Sequence, residues 1–309
     1  MSISVQNLTK TYGKQNAVDD ISFEVQQGEV LGFLGPNGAG KSTTMKIATC
    51  FLPPTSGLVK VCGYDVMENP IEVRRNVGYL PEHNPLYLDM YVHEYLHFVG
   101  SVYQMKGEEL NKNVQRVVDI TGLPLEQNKK IGALSKGYRQ RVGLAQVLIH
   151  DPKVLILDEP TTGLDPNQIV EIRQLIKNIG KEKTVIFSTH IMQEVQAICE
   201  RVVIINKGKI VADSPVSDLR NKKSSNVVII AEFENDLVDT SALQNISGLL
   251  NIKRTGKGQY KISAQPNADV RASIFKLAAE HHWTLIGLKQ EEDSLEKVFQ
   301  ELTQQSATA

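Results

Sequence analysis

Between residues 29 and 43 the chain reads EVLGFLGPNGAGKST, a short continuous apolar run followed at once by three glycines in six residues, a lysine and two hydroxyls. Glycine is the costliest residue to order, so a cluster of it marks backbone that something must approach closely. The apolar run itself does not alternate, as a strand buried on both faces should not, and this points to a parallel sheet. Similar runs recur at residues 154–157, 184–187 and 202–205. Helical patterns lie between them, at 41–51 (stopped by Pro53-Pro54), 92–121, 137–149, 167–179 and 191–198. The expected class is therefore α/β, and the helical block from about 92 to 150, which interrupts the alternation, is expected to form its own subdomain.

A chain of 309 residues, 41% apolar and 22% charged, is longer than one core usually serves, so two domains are expected. The boundary falls at the polar stretch RNKKSSN, with one domain over 1–220 and the other over 226–309. The second reads strand 226–233, helix 240–246, strands 248–254 and 258–263, helix 268–281, strand 284–289, a βαββαβ order of the ferredoxin-like α+β type. A final helix is expected at DSLEKVFQEL, where Asp293 and Glu296 have capping-box spacing and Leu295, Val298, Phe299 and Leu302 form a helical stripe. A net charge of −1 gives no global field to favour nucleic acid or an anionic membrane. Cys50, Cys62 and Cys199 have no C-x-x-C spacing, which suits a reducing compartment. No signal peptide and no spanning segment are read in the chain, so a soluble cytoplasmic protein is expected.

The glycine cluster matches G-x-x-x-x-G-K-[ST] over Gly35, Pro36, Asn37, Gly38, Ala39, Gly40, Lys41, Ser42 and Thr43. In that pattern successive backbone N–H groups curl around phosphate oxygens and the helix start adds its partial positive charge. Lys41 would reach the β- and γ-phosphates and Ser42 would ligate Mg²⁺. A fortuitous Gly-rich turn is the competing explanation, and the strand before it and helix after it argue against that. In VLILDEP, Asp158 and Glu159 emerge at the carboxyl edge of a buried strand, where open α/β sheets bind ligands. Asp158 would hold the metal and Glu159 would polarise the attacking water; alone, a solvated strand end is the commoner explanation.

The block LSKGYRQRVGLAQVLIHDPKVLILDEPTTGLDP resembles the signature-to-D-loop region of the ATP-binding cassette (ABC) family, and the resemblance covers residues 1 to about 220. It implies a P-loop NTPase cassette, a RecA-like mixed sheet core with a helical subdomain. Tyr12 in TKTYG then matches the aromatic that stacks on adenine, Ser135 and Gly137 the signature, Asp165 the D-loop acid and His190 the switch histidine that senses the γ-phosphate. Glu159, His190, Lys41 and Asp165 make up the implied catalytic set, and Ser42, Asp158 and Glu82 the implied Mg²⁺ contacts. Two positions depart from the family pattern: Lys136 replaces a signature glycine, and Glu82 stands where a glutamine is usual. The family further implies a head-to-tail dimer around two MgATP, homodimeric or between two nucleotide-binding domains, coupled to transmembrane permease subunits at the cytoplasmic face of the inner membrane. The stretches GYLPEHNPLYLDMYVHEYL and EEDSLEKVFQELT resemble bacterial exporter subunits, most closely the one associated with gliding motility. A soluble cassette ATPase not coupled to transport, or a regulator acting through the second domain, are the alternatives.

Two further stretches carry expectations. Leu86, Tyr87, Leu88 and Met90 suggest either an apolar groove for a partner's helix or a local packing cluster. HEYLH, residues 93–97, matches H-E-x-x-H, but no third zinc ligand follows, so no zinc site is expected there.

Overall fold

The chain opens on two long antiparallel strands, β1 (Ile3–Tyr12) and β2 (Gln15–Val25), before the expected run becomes β3 (Val30–Leu34). The computed structural model describes residues 1–221, 227–236, 240–265 and 268–291, together with Phe299 and Thr303. After β3 come α1 (Lys41–Ala48), β4 (Ser56–Val61), β5 (Tyr64–Asp65), α2 (Pro70–Asn76) and β6 (Val77–Leu80). The helical block holds α3 (Val92–Val102), α4 (Gly107–Ile120), a 3₁₀ turn (Ile131–Ala133) and α5 (Lys136–Leu148). Then follow β7 (Val154–Asp158), α6 (Pro166–Gly180), β8 (Thr184–Thr189), α7 (Met192–Ile198), β9 (Arg201–Asn206), β10 (Lys209–Pro215) and α8 (Val216–Asn221).

The central sheet has the order β10-β9-β3-β8-β7-β6. Neighbours from β9 to β6 run parallel, and β10 adds an antiparallel edge, so the sheet is mixed where the apolar runs alone suggested a parallel one. Every residue of β7 and β8 is buried, which explains the unbroken apolar runs 154–157 and 185–187 within them. A second, antiparallel sheet, β2-β1-β4-β5, lies across α1: Ile3, Val5, Leu8 and Val18 share one core with Met45 and Ile47 of α1 and with Ile156, Ile186 and Val203 of the central sheet. Each such fully buried side chain contributes about 1.5–3 kcal/mol. Helix α1, carrying Lys41 and Ser42, is thus clamped from both sides.

The helix expected over 92–121 is two helices. Gln104 adopts a left-handed φ of 65° and Gly107 one of 56°, which breaks the run between them. Likewise α1 stops three residues short of 51, with Cys50 left-handed at φ 58°.

The described residues divide into two compact units, one holding residues 1–216 with Phe299 and Thr303, the other those described between 217 and 291. The second unit holds β11 (Val227–Phe233), α9 (Ser241–Gln244), β12 (Leu249–Gly256), β13 (Gln259–Ala264), α10 (Arg271–Glu280) and β14 (Leu285–Glu291). Its sheet is antiparallel throughout, in the order β12-β13-β11-β14. Ile229, Ala231, Phe233, Tyr260 and Ile262 form its core with Leu243 of α9 and Ile274 of α10. Residues 222–226 of the expected linker lie outside the described residues, as do Asp293, Leu295, Glu296, Val298 and Leu302 of the expected terminal helix.

Candidate functional site

The loop from Gly35 to Gly40 carries the chain from the buried end of β3 into α1. A Cβ at Gly35 would run into the carbonyl oxygen of Ile205 on β9, and one at Gly40 into that of Ala17 on β2. Close approach is therefore required at these two glycines, but by the chain's own carbonyls and not by a ligand alone. Gly38 differs: its φ is 77°, and a Cβ there would meet nothing. Gly40 is also the N-cap of α1, at φ 111°, and offers no side chain to the first turn. The first N–H groups of a helix have no partner within it, so this end is open to an anion.

A cavity of about 470 Å³ faces that end, lined by Asn37 to Thr43 with Ala17, Glu82, Glu159, Thr162 and His190. The Lys41 ammonium, buried, donates to the carbonyls of Gly35 (2.7 Å) and Pro36 (3.3 Å) and stands 3.2 Å from Glu159 Oε1. Glu159 follows β7 directly at a left-handed φ of 49°. Its N–H donates to the Ser188 hydroxyl oxygen at 3.1 Å, and that hydroxyl donates to Asp158 Oδ1 at 2.5 Å. One serine on β8 thereby fixes both acids. His190 Nδ1 lies 2.8 Å from Glu159 Oε2, and the Thr162 hydroxyl donates to the same oxygen at 3.4 Å.

Three observations test whether a magnesium nucleotide fits here. The helix start is uncapped by any side chain. Glu159 Oε1 is buried and accepts no hydrogen bond, its charge met by the Lys41 ammonium alone, so it has acceptor capacity to spare. The donor set, the Ser42 hydroxyl and the Glu82 carboxylate on the cavity wall with the Asp158 carboxylate behind it on Ser188, is of the hard-oxygen kind Mg²⁺ takes. The residues fit the group.

A second cavity, about 450 Å³, shares Glu82, Glu159 and Thr162 with the first and continues along His83 to Leu86 and Leu88 to Lys136, Arg139 and Gln140 of α5. Ser135 caps α5, its hydroxyl accepting from Tyr138 N–H at 3.4 Å. Asp165 caps α6 by accepting from Gln168 N–H at 2.9 Å, with Pro166 at the helix start. Gly137 lies so close to the Gln168 side chain that a Cβ would collide with it, and the Lys136 ammonium lies over Gly163. Tyr12 is 49% exposed with the Lys10 ammonium 5.3 Å from its ring centre.

The structure therefore gathers Asn37 to Thr43, Glu82, Glu159 and His190 around one cavity, with Asp158 tied in through Ser188. Ser135, Gly137, Asp165 and Tyr12 are not among its lining residues. Ala17, Thr162 and Ser188 were missed by sequence reasoning. A hydroxyl directly after the apolar run 185–187 of β8 was the available signal for Ser188; Ala17 and Thr162 gave none.

In the loop before α3, Tyr87 and Leu88 are 54% and 47% exposed, while the Tyr87 ring also packs on Tyr95 (5.8 Å between centres) and Phe98 (5.7 Å). The H-E-x-x-H side chains are each engaged locally. His93 Nδ1 donates to the Gln127 carbonyl (2.9 Å), His97 Nδ1 to the His93 carbonyl (2.7 Å), and Glu94 accepts from Tyr91 N–H (3.2 Å) in a capping box.

A family model described as "ABC transporter" matches residues 18–162. The linearmycin resistance ATP-binding protein LnrL of Bacillus subtilis (strain 168) is 32% identical over 97% of this chain and 98% of its own length. The bacitracin transport ATP-binding protein BcrA of Bacillus licheniformis is 33% identical over 97% of this chain and 96% of its own length. Among solved structures, a dimeric post-hydrolysis state of the ATP-binding cassette MJ0796 bound to ADP and Pi has a TM-score of 0.63 at 27% identity, covering 69% of this chain and 98% of that one. The cbiO1 protein of Clostridium perfringens, part of the ABC transporter complex cbiONQ, has a TM-score of 0.66 at 30% identity, covering 71% of this chain and 90% of that one.

Proposed function

Because the chain belongs to the ABC transporter family as an ATP-binding subunit, we propose that it hydrolyses ATP as one half of a cassette pair that drives separate permease subunits in export. The observation that carries this reading is the single cavity in which the uncapped start of α1, Lys41, Glu159 and His190 converge. Lys41 and the N–H groups of the first turn bind and orient the phosphates. Ser42, Asp158 and Glu82 would hold Mg²⁺, which when bound neutralises phosphate charge. Glu159 takes the proton of the attacking water, and His190, 2.8 Å from its carboxylate, keeps that carboxylate aimed into the cavity. Tyr12, exposed at the end of β1, offers a face for adenine.

Ser135, Gly137 and Asp165 take their part from the opposite chain, closing on a nucleotide held by the partner's phosphate loop. The dimeric MJ0796 structure supports this reading, and cbiO1, part of a larger transporter complex, supports further subunits. No helix among the described residues is long and apolar enough to cross a membrane, so attachment to the membrane face runs through the permeases. Their contact is the exposed Tyr87–Leu88 turn beside Phe98. LnrL and BcrA, named for linearmycin resistance and bacitracin transport, support the export direction. The finer assignment to the gliding-motility branch rests on the two sequence stretches at residues 78–96 and 291–303.

The test is Glu159→Gln in the full chain. Removing the base is expected to lower turnover by about 10²–10⁴-fold while ATP still binds and the dimer persists on gel filtration. Native-rate hydrolysis by this variant would falsify the assignment of Glu159.

A further inference from the structure

Glu194 on α7 is fully buried, at 0% exposure, and lines neither cavity described above. Its Oε1 accepts from the Thr161 hydroxyl and its Oε2 from the Thr189 hydroxyl, both at 2.6 Å, and the Arg173 guanidinium lies 3.4 Å from Oε1. Burying a carboxylate is costly, and an apolar side chain of similar volume would pack an interior without that cost. What the acid ties together accounts for its presence. Thr161 lies two residues after Glu159, Thr189 immediately precedes His190, and Arg173 belongs to α6, the helix that Asp165 caps. Both threonines are themselves buried, at 4% and 0% exposure, so neither hydroxyl has water as an alternative acceptor. The Thr189 hydroxyl also accepts from Ile191 N–H at 3.0 Å, which fixes the backbone on the far side of His190.

We propose that Glu194 is a positioning residue: by holding Thr161 and Thr189 it sets the Glu159–His190 contact and so governs turnover without taking part in nucleotide binding. The inference rests on the hydrolytic reading above. A carboxylate with two hydroxyl donors on two chain segments fixes their separation more tightly than packing does, because each hydrogen bond has a narrow range of length and angle. Loss of either donor frees one segment and leaves the phosphate loop untouched.

The experiment compares Thr161→Val, Thr161→Ser and Glu194→Gln in the full chain, measuring kcat, KM, the dissociation constant of a fluorescent ATP analogue and the melting temperature. Thr161→Val, nearly isosteric, is expected to lower kcat about ten-fold or more with KM and the dissociation constant within about two-fold, and Thr161→Ser to restore kcat to within about two-fold of the parent. Glu194→Gln is expected to behave as Thr161→Val does; should it fail to fold, the threonine pair decides. Parent-level kcat in Thr161→Val overturns the proposal, and so does a kcat loss that follows only the loss of folded protein or that Thr161→Ser fails to restore. Glu159→Gln run alongside separates the two levels: an active Glu159→Gln sinks the hydrolytic reading, whereas an inactive Glu159→Gln beside a fully active Thr161→Val sinks only the role of Glu194.

Discussion

The starts of α1 and α5 are both helix ends with free N–H groups, and they differ in what surrounds them. At α1 the N-cap is a glycine with no side chain to offer, and Ala39 and Lys41 beside it are buried between two sheets. At α5 the cap is Ser135, exposed, whose own hydroxyl already accepts from Tyr138 N–H. The first end opens into a cavity lined by its own phosphate loop; the second opens beside Lys136, Arg139 and Gln140, in a cavity that shares Glu82, Glu159 and Thr162 with the first but is lined by no residue of that loop. The contrast separates a cradle built within one chain from a second helix end that, on the proposed reading, clasps a nucleotide held by another copy.

The largest effect expected from this contrast is in mixing. Lys41→Ala destroys the cradle and Ser135→Arg the clasp, and each alone is expected to lose about ten-fold or more in turnover. Mixed, the two variants form pairs in which one composite site is intact, and turnover returns. A mixture as inactive as its components would break the comparison, making both helix ends parts of one in-chain site.

A smaller effect separates the glycines of the cradle. Gly35→Ala drives a methyl into the Ile205 carbonyl and is expected to cost about 3 kcal/mol in urea unfolding, nucleotide absent. Gly38→Ala meets no atom and pays only for its left-handed φ, about 1 kcal/mol. Equal losses would show that the loop's shape is not set by the strands beneath it.

An effect of like size, invisible at neutral pH, belongs to the far end of α5. His150 stacks on Tyr103 with ring centres 3.9 Å apart, its Nε2–H donates to the Val77 carbonyl, and its Nδ1 is buried without a partner. Burial of the ring lowers its pKa to about 4, from 6.5. Between those values the unfolded chain binds a proton that the folded chain refuses, so stability is full above about pH 6.5 and falls as the pH drops toward 4. At pH 5 the loss is about 2 kcal/mol, a fall of about 4–8 °C in melting temperature, and His150→Gln is expected to flatten it. An unchanged pH slope in that variant would place the titrating group elsewhere.

The same contrast measures what the sequence makes legible. The cradle was readable because its strand is buried on both faces and its turn residues are unusual, so β3, β7, β8 and β9 all stand where unbroken apolar text put them. The antiparallel sheet over α1 was not. Register shifts in β1 after Val5, Leu8 and Lys10 disturb its alternation, and with it the period-2 signal. Glu194 was equally hidden, since an acid in MQEVQAI reads as a solvated face until tertiary contacts show two hydroxyls closing on it. The reason for Gly35 was also out of reach, because the carbonyl it makes room for lies 170 residues further along the chain.

The 3.2 Å approach of Lys41 to Glu159 dictates an order of events. While the ammonium rests there, one face of the carboxylate is covered. On the proposed reading, a phosphate that draws the lysine toward itself uncovers that oxygen, so arrival of the fuel also clears the place where water must stand.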